Sequence, residues 1–177
     1  MSDDRGERQH PSAAIDAAYR AGDLAALRAA LGQPPDFPNC RHPVELAVGD
    51  HPLEYAIYWS PLAFIERLLE LGADPNYEAD DGFPSLVAAL SSGREDGHRL
   101  LALLLDKGAA LDQRGINDWT PLHYATAQRD LEAVRLLLDR GADADLRTRI
   151  DDRTSALEDA EAAGFAEAVA LMRANRR

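Results

Sequence analysis

Cysteine is nearly absent from this sequence, since Cys40 is the only one among 177 residues. A single thiol excludes a disulfide within the chain and is typical of a reducing compartment, so we expect a cytoplasmic protein. No apolar run reaches the roughly 18 residues that a membrane-spanning helix needs. The opening residues MSDDRGERQH also lack the apolar segment of a signal peptide. The sequence therefore predicts neither a membrane span nor a leader.

Positive charge is also scarce, because 19 Lys and Arg residues stand against 31 Asp and Glu residues, giving a net charge of −12. Nucleic acids and anionic membranes repel such a chain, so we expect neither as a partner, whereas a basic protein would be attracted. Lys107 is the only lysine, and the dominance of arginine and alanine is typical of GC-rich bacterial genomes. Aromatic residues make up only 6% of the chain, so leucine and alanine must fill the core, which favours closely packed helices in one domain.

Groups suited to catalysis or metal binding are missing as well. The densest set of potential ligands is Cys40, His42 and His51, with Glu45 or Asp50 nearby, and its spacing matches no zinc-binding pattern. The sequence contains no glycine-rich phosphate loop and no serine in a nucleophile elbow. We therefore predict a protein that is not an enzyme and that has no cofactor and no metal site.

Two short motifs recur in phase along the chain. The pattern apolar-x-x-Ala returns at intervals of 38, 33, 36 and 35 residues, starting at Ile15, Leu53, Leu86, Leu122 and Leu157. A second motif follows three of these starts: LLELGADPN ends at Asn76, LLLDKGAALD at Asp112 and LLLDRGADAD at Asp145. Two motifs that keep the same spacing indicate a repeat protein of about five repeats.

Each repeat has the pattern of two short helices. In the fourth, Thr120 is suited to cap the first helix and Pro121 to begin it. An apolar stripe lies between Asp130 and Gly141, where glycine can take the left-handed conformation that ends a helix. One repeat cannot bury its stripe alone, so the repeats must stack. The predicted organisation is a polar tail over 1–10, one domain over 11–177 with repeats at about 11–40, 43–76, 79–112, 115–147 and 150–177, and an irregular proline-rich loop over 33–50.

The fourth repeat, WTPLHYATAQRDLEAVRLLLDRGADAD, resembles an ankyrin repeat through Thr120-Pro121-Leu122-His123, Ala125, Leu137-Leu138 and Gly141-Ala142-Asp143. The third repeat is looser, with Pro84-Ser85-Leu86-Val87 where the family has Thr-Pro-Leu-His. The resemblance implies an all-α ankyrin-repeat solenoid of stacked helix-turn-helix units with β-hairpin or loop tips. It also implies that His123 hydrogen-bonds between adjacent repeats.

Four aromatic residues are the predicted partner-binding residues. By alignment, Tyr58 and Trp59 end the first helix of repeat two, at positions on the concave face that the other repeats fill with small or polar residues. These smaller residues are Ser91, Ser92, Ala127, Gln128, Ala162 and Ala163. Phe83 and Trp119 lie in the tips, so the four rings could line one groove. The alternative is that Tyr58 and Trp59 pack on the loop over 33–50.

The tip before repeat three carries Glu78, Asp80 and Asp81, which form either a solvated turn or an acidic surface for a basic partner. Together these features predict a monomeric, non-catalytic module that binds a protein or peptide, with a basic one favoured by charge. Two other functions fit the same sequence. One is an acidic inhibitor or immunity-type protein that neutralises a basic toxin or enzyme, and the other is a secreted effector directed at a host.

Overall fold

The computed structural model describes residues 11–46, 49–150 and 153–175. Within these ranges the backbone forms ten α-helices, one 3-10 turn at Ile116–Asp118 and a single isolated β-bridge between Arg147 and Ser155. The helices are α1 Pro11–Ala21, α2 Leu24–Ala30, α3 Pro52–Trp59, α4 Leu62–Glu70, α5 Ser85–Ser91, α6 Gly97–Asp106, α7 Pro121–Ala127, α8 Leu131–Asp139, α9 Ala156–Ala162 and α10 Ala166–Ala174. The polar tail predicted for 1–10 lies outside the described residues.

The all-α repeat fold is confirmed, because the ten helices of the described ranges follow one another as five consecutive pairs. The tips in those ranges are loops and turns without strands, so the loop form of the tip is the one observed. The chain divides into two compact units between Ala73 and Asp74. We refer to them as the N-terminal unit, with α1 to α4, and the C-terminal unit, with α5 to α10.

Short-range capping determines where the helices of repeat four begin and end. Thr120 is the N-cap of α7 and Pro121 its first residue, as predicted. The imidazole of His123 accepts a hydrogen bond at Nδ1 from the Thr120 hydroxyl, 2.7 Å away, and Nε2 donates to the carbonyl of Thr154 at 3.2 Å. This second bond reaches repeat five, so the predicted link between adjacent repeats is confirmed. After α8, Gly141 has φ 97°, a left-handed conformation that suits glycine.

Other repeats place glutamate where repeat four has His123. Glu158 accepts from the backbone N–H of Ser155 at 3.1 Å, and Ser155 is the N-cap of α9. Glu54 is almost completely buried and accepts from the N–H of Asp50 at 2.7 Å. Glu54 also accepts from the N–H of His51, the N-cap of α3, at 3.3 Å. This bond and the bond from Ser155 are capping-box interactions, which satisfy backbone donors that a helix start leaves without partners. The first helices of repeats two, four and five therefore begin with the same capping interaction, although its side chain is glutamate in two of them and histidine in the third.

The core of the C-terminal unit is made of leucine and other aliphatic side chains on one face of each helix. In α8, Val134 and Leu137 have no exposed surface and Leu138 is 4% exposed, as its periodicity predicts. Helix α8 packs against α7 of its own repeat and α6 of repeat three, where Leu122 and Leu104 are also fully buried. Burial of each such side chain contributes about 1.5 to 3 kcal/mol, which explains how a chain poor in aromatic residues keeps a packed interior.

A side-chain bridge links the turns that follow successive second helices. Asn76 donates from Nδ2 to the carbonyl of Gly108 at 3.0 Å and accepts at Oδ1 from the N–H of Ala110 at 2.7 Å. In the next repeat the equivalent residue is Asp112, which cannot donate because it is a carboxylate. Burial and the charge of Asp143 raise its pKa above the ordinary value. The carboxylate is therefore a poor match for this position.

We predict that Asp112→Asn raises the free energy of unfolding by about 0.5 to 1 kcal/mol. The amide supplies the missing donor and removes the repulsion from Asp143. Urea unfolding at pH 7 measures the change. The reverse substitution, Asn76→Asp, is the matched control and should lower stability, since it removes the donor to Gly108. Equal or lower stability of Asp112→Asn would contradict the prediction.

The proline-rich loop of the N-terminal unit is held by contacts with helices that are distant in sequence. The ring of His42 meets those of Tyr19 and Tyr55 edge to face, with centroids 5.7 and 5.9 Å apart. Asn39 donates to the carbonyl of Gly72 at 2.9 Å. Cys40 is 3% exposed, and burial raises the pKa of its thiol. The described part of the 33–50 segment is thus an integral part of the N-terminal unit.

Candidate functional site

A groove of about 670 Å³ opens between repeats four and five in the C-terminal unit. The ends of α7 and α9 form one side and the preceding tips form the other. Its described lining residues are Asn117, Trp119, Thr126, Ala127, Thr148, Thr154, Asp159, Ala162 and Ala163. We call it the Trp119 groove. Its volume lies within the range of roughly 300 to 1,000 Å³ typical of binding pockets.

The Trp119 groove brings together one predicted aromatic residue and three of the small positions identified by alignment. Trp119 is half-buried and meets the ring of Tyr124 at 6.1 Å between centroids, with the planes inclined by 73°. Ala127, Ala162 and Ala163 are exposed and leave space in front of it. Small side chains at helix ends beside a tryptophan give room and an aromatic contact surface together.

An ion-pair network centred on the buried Asp118 holds the tips that border the groove. Asp118 accepts from the backbone N–H of Arg149 at 2.5 Å, from its guanidinium at Nη2 at 2.5 Å, and from Arg114 Nη1 at 2.8 Å. Its side chain is only 8% exposed. The hydrogen bond from the Arg149 side chain is the main reason that the pKa of Asp118 is lowered to about 2. The network joins the tip before repeat four to the tip before repeat five.

The tip before repeat three packs closely on the next tip. The N–H of Ile116 donates to the carbonyl of Gly82 at 2.7 Å. A Cβ at Gly115 would lie 2.6 Å from that same carbonyl oxygen, so only glycine fits there without a backbone shift. The tips before repeats three and four are therefore joined by a backbone hydrogen bond and by close packing.

The acidic residues predicted as partner contacts lie on this tip. Glu78, Asp80 and Asp81 are all exposed. Asp81 also accepts at Oδ1 from the N–H of Phe83, 2.8 Å away, and Phe83 accepts at its carbonyl from the hydroxyl of Tyr77 at 3.3 Å. Phe83 is half-buried and is not among the described residues that line the Trp119 groove. Asp81 thus shapes the turn as well as contributing charge.

Tyr58 and Trp59 lie in the N-terminal unit, at the end of α3. Tyr58 is half-buried, whereas Trp59 is 39% exposed and carries the guanidinium of Arg20 at 4.5 Å from its ring centroid. Arg20 is held there by Asp16, whose oxygens lie 2.9 Å from Nε. Tyr58 and Trp59 remain predicted contact residues.

Pro61 explains why repeat two differs from the others at this point. Ser60 has φ −98° and ψ 155°, whereas the equivalent Arg129 and Gly164 have φ of 57° and 63°. A residue that precedes proline is restricted to extended conformations, so Ser60 cannot adopt the left-handed turn. The backbone that follows α3 is therefore extended, whereas the backbone that follows α7 and α9 is left-handed.

His42, one of the potential metal ligands in the sequence, makes two hydrogen bonds within the N-terminal unit. His42 accepts at Nε2 from the hydroxyl of Tyr19 at 2.7 Å, and Nδ1 donates to the carbonyl of Gly49 at 3.3 Å. The described residues contain no group of three or more His, Cys, Asp or Glu residues placed to hold a metal ion. Within the same ranges, no helix combines the length and apolar character needed to cross a membrane.

Sequence reasoning missed Asp159 and the threonines of the Trp119 groove. A signal existed for Asp159, because alignment of the helix starts places it at the position of Tyr55 and Tyr124. A carboxylate where two other repeats carry an aromatic ring is an anomaly of the same kind as Tyr58 and Trp59. Thr148 and Thr154 lie in a tip, where no periodicity indicates which side chains face the groove, and Thr126 is a buried residue of α7.

Consecutive helix pairs with loop tips, in the described part of the chain, define a helical-repeat protein. The family model for ankyrin repeats (3 copies) matches residues 63–148 and 87–175, which together span more than half of the chain. This chain belongs to the ankyrin repeat family. Ankyrin repeats are generally protein–protein interaction modules and are generally non-catalytic.

Relatives with this repeat occur in bacteria and animals. The chain is 39% identical over 83 residues to an ankyrin repeat protein of Rickettsia bellii, covering 45% of this chain and 23% of that protein. It is 34% identical over 106 residues to palmitoyltransferase Hip14 of Drosophila melanogaster, covering 59% and 16%. It is 30% identical over 109 residues to Inversin of Homo sapiens, covering 62% and 10%. The chain thus spans less than a quarter of each of these relatives.

Proposed function

We propose that this chain is a non-catalytic module that binds one protein or peptide partner, with the Trp119 groove as its main contact site. The observation that carries the proposal is the groove itself, in which a tryptophan faces a row of exposed alanines. Aromatic residues next to space for a partner side chain are typical anchors of binding hot spots. The membership of the ankyrin repeat family supports the same function.

The proposal is tested by filling the groove. Affinity capture followed by mass spectrometry supplies a partner, and calorimetry with the purified partner then measures the Kd. Ala162→Arg places a long side chain at the exposed end of α9 and should weaken binding by at least tenfold, because it occupies the space in front of Trp119. Ala170→Arg adds the same charge at an exposed position of α10 and should leave the Kd unchanged. Equal binding by both variants would exclude the groove as the contact site.

The predicted contact at Tyr58 and Trp59 is tested with the same partner. If the two rings bind it, the double substitution Tyr58→Ala/Trp59→Ala weakens binding. If they serve the N-terminal unit alone, stability falls by several kcal/mol and the Kd is kept. The stacking of Arg20 on Trp59 makes some loss of stability expected in either case. The Kd is therefore the measurement that decides.

A second candidate function is an inhibitor of a basic toxin or enzyme. The net charge of −12 and the exposed Glu78 and Asp80 favour it. An acidic inhibitor associates fast at low salt and slows steeply as salt screens the charges. Glu78→Gln/Asp80→Asn should then lower the association rate with the captured partner more than the dissociation rate changes. An association rate that is independent of salt would exclude this mechanism.

A further inference from the structure

Asp159 is the only charged residue among the described residues that line the Trp119 groove. Its side chain is half-buried and has neither a hydrogen-bond partner nor an ion-pair partner within the described part of the chain. Neighbouring carboxylates are engaged, since Glu158 pairs with Arg147 and Asp118 with Arg149. A half-buried carboxylate without a partner is poorly stabilised by the protein and favours a cation from outside.

Trp119 provides a second unused group in the same groove. Its indole N–H has no hydrogen-bond acceptor among the described residues, although Trp is usually paired when it is buried. The alanines beside it leave space for a side chain and for an extended backbone, whose carbonyls could accept from the indole. The groove thus offers one anionic group, one donor and one aromatic ring.

The chain itself shows what fits between an indole and a carboxylate. In the N-terminal unit the guanidinium of Arg20 lies 4.5 Å from the ring centroid of Trp59, and its Nε is 2.9 Å from Asp16. Arginine satisfies both groups at once, because its planar cation stacks on a ring while its edge donates to a carboxylate. In the Trp119 groove the ring and the carboxylate are present and the arginine is missing.

The arginine of the chain that borders the groove is bound elsewhere. Arg129 follows α7 and lies over the ring of Phe165 at 4.8 Å. It donates from Nη1 to the carbonyl of Ala163 at 2.9 Å. These contacts keep its charge engaged outside the described lining of the groove. A partner would therefore have to supply the cation that pairs with Asp159.

We infer that the Trp119 groove binds an arginine side chain of an extended basic peptide, with its guanidinium paired to Asp159 and stacked on Trp119. The inference rests on the proposed function and names the chemistry of the partner. Lysine is a weaker ligand, because a compact ammonium cannot both stack and donate in a fork. The net charge of −12 adds a general attraction for a basic segment.

The test uses the full chain with Trp59→Phe, which leaves Trp119 as its only tryptophan. The probes are capped pentapeptides of sequence Ala-Ala-X-Ala-Ala, where X is Arg, Lys or Gln. The NMR signal of the Trp119 indole N–H and its fluorescence report binding. The Arg peptide should bind at least tenfold more tightly than the Gln peptide, with the Lys peptide between them. Asp159→Asn should remove this preference.

Glu167→Gln is the matched control, because it changes the net charge equally at an exposed position of α10. It should keep the preference for arginine, whereas a purely long-range attraction would fall equally in both variants. Equal binding of the Arg and Gln peptides to the groove would overturn the arginine inference and leave the proposed function standing. If no peptide moves the Trp119 signal, the inference is overturned, and the Ala162→Arg experiment decides the function independently.

Discussion

Asp118→Asn is expected to lower the free energy of unfolding by about 2 kcal/mol at pH 7, because the amide cannot replace a carboxylate between two guanidinium groups. Asn is the closest replacement that keeps the backbone, since Asp118 has φ 58° and Asn tolerates left-handed conformations well. The loss would come from the bonds to Arg149 and Arg114 alone. Urea unfolding followed by circular dichroism measures it.

The pH dependence distinguishes this ion-pair effect from simple loss of packing. The folded pKa of Asp118 is about 2, below the value of about 4 for an unfolded aspartate. Its contribution is therefore complete above pH 4 and is lost as the pH falls through 2. The difference between the wild type and Asp118→Asn should shrink to about half by pH 3. Asp139→Asn, at an exposed position of α8, should change stability by less than about 0.5 kcal/mol. A difference that does not vary with pH would contradict the assigned role.

The same network explains why a stability variant could alter binding. Arg149 and Asp118 hold the tips that carry Thr148, Asn117 and Trp119, and these three residues line the groove. Loosening the tips would change the position of the tryptophan relative to the ends of α7 and α9. Groups that orient a binding residue are part of a site even when they do not touch the ligand.

The helices could be predicted because their determinants are local. Thr120, Pro121 and Gly141 act on backbone groups within about four residues, and the apolar stripe of α8 follows helical periodicity. The same signals return in phase in several repeats, which supports each predicted helix. The arrangement of the tips was less accessible, because a loop without strands or periodicity depends on the side chains that meet it.

The loop over 33–50 could not be predicted, because its course depends on rings that lie far away in the sequence. Tyr19 and Tyr55 occupy ordinary helix positions, and no local pattern shows that both meet His42. Tyr58 and Trp59 are predicted to contact a partner because the other repeats carry small or polar residues at their positions. Tyr55, only three residues earlier, contacts the loop. Sequence patterns thus identified the helix surface but not the partner of each ring.

The Trp119 groove differs from the contact surface predicted from the sequence, and the physical reason is related. Alignment places these residues at the ends of the first helices, and the large side chains among them favour Tyr58 and Trp59 as contacts. In the Trp119 groove, small residues create the space and a single Asp159 supplies the charge. Space is a property of several neighbouring side chains, and one sequence does not reveal it residue by residue. Both sets of residues remain testable with the same partner.

The second large effect is a loss of folding stability at acidic pH. Burial lowers the pKa of His42 to about 4, because it outweighs the hydrogen bond to the carbonyl of Gly49, which favours the protonated ring. The charges of His51 and Asp50 have smaller and opposite effects on this pKa. An unfolded histidine has a pKa of about 6.5. Between these two values the unfolded chain binds a proton that the folded chain does not, so stability falls as the pH decreases. From pH 7.5 to 4.5 the loss from His42 alone should be about 2 to 3 kcal/mol.

His42→Gln should remove this loss. The hydroxyl of Tyr19 donates a hydrogen bond to Nε2 of His42, and the amide oxygen of glutamine can accept the same bond. Unlike histidine, the amide takes up no proton in this pH range. At pH 7.5 the variant should be about 1 kcal/mol less stable, because ring packing against Tyr19 and Tyr55 is lost. At pH 4.5 it should be the more stable protein. Urea unfolding at four pH values measures the crossing, and an NMR titration of the His42 ring checks the pKa directly. Parallel loss of stability in the two proteins would show that protonation of His42 is not what destabilises the N-terminal unit in acid.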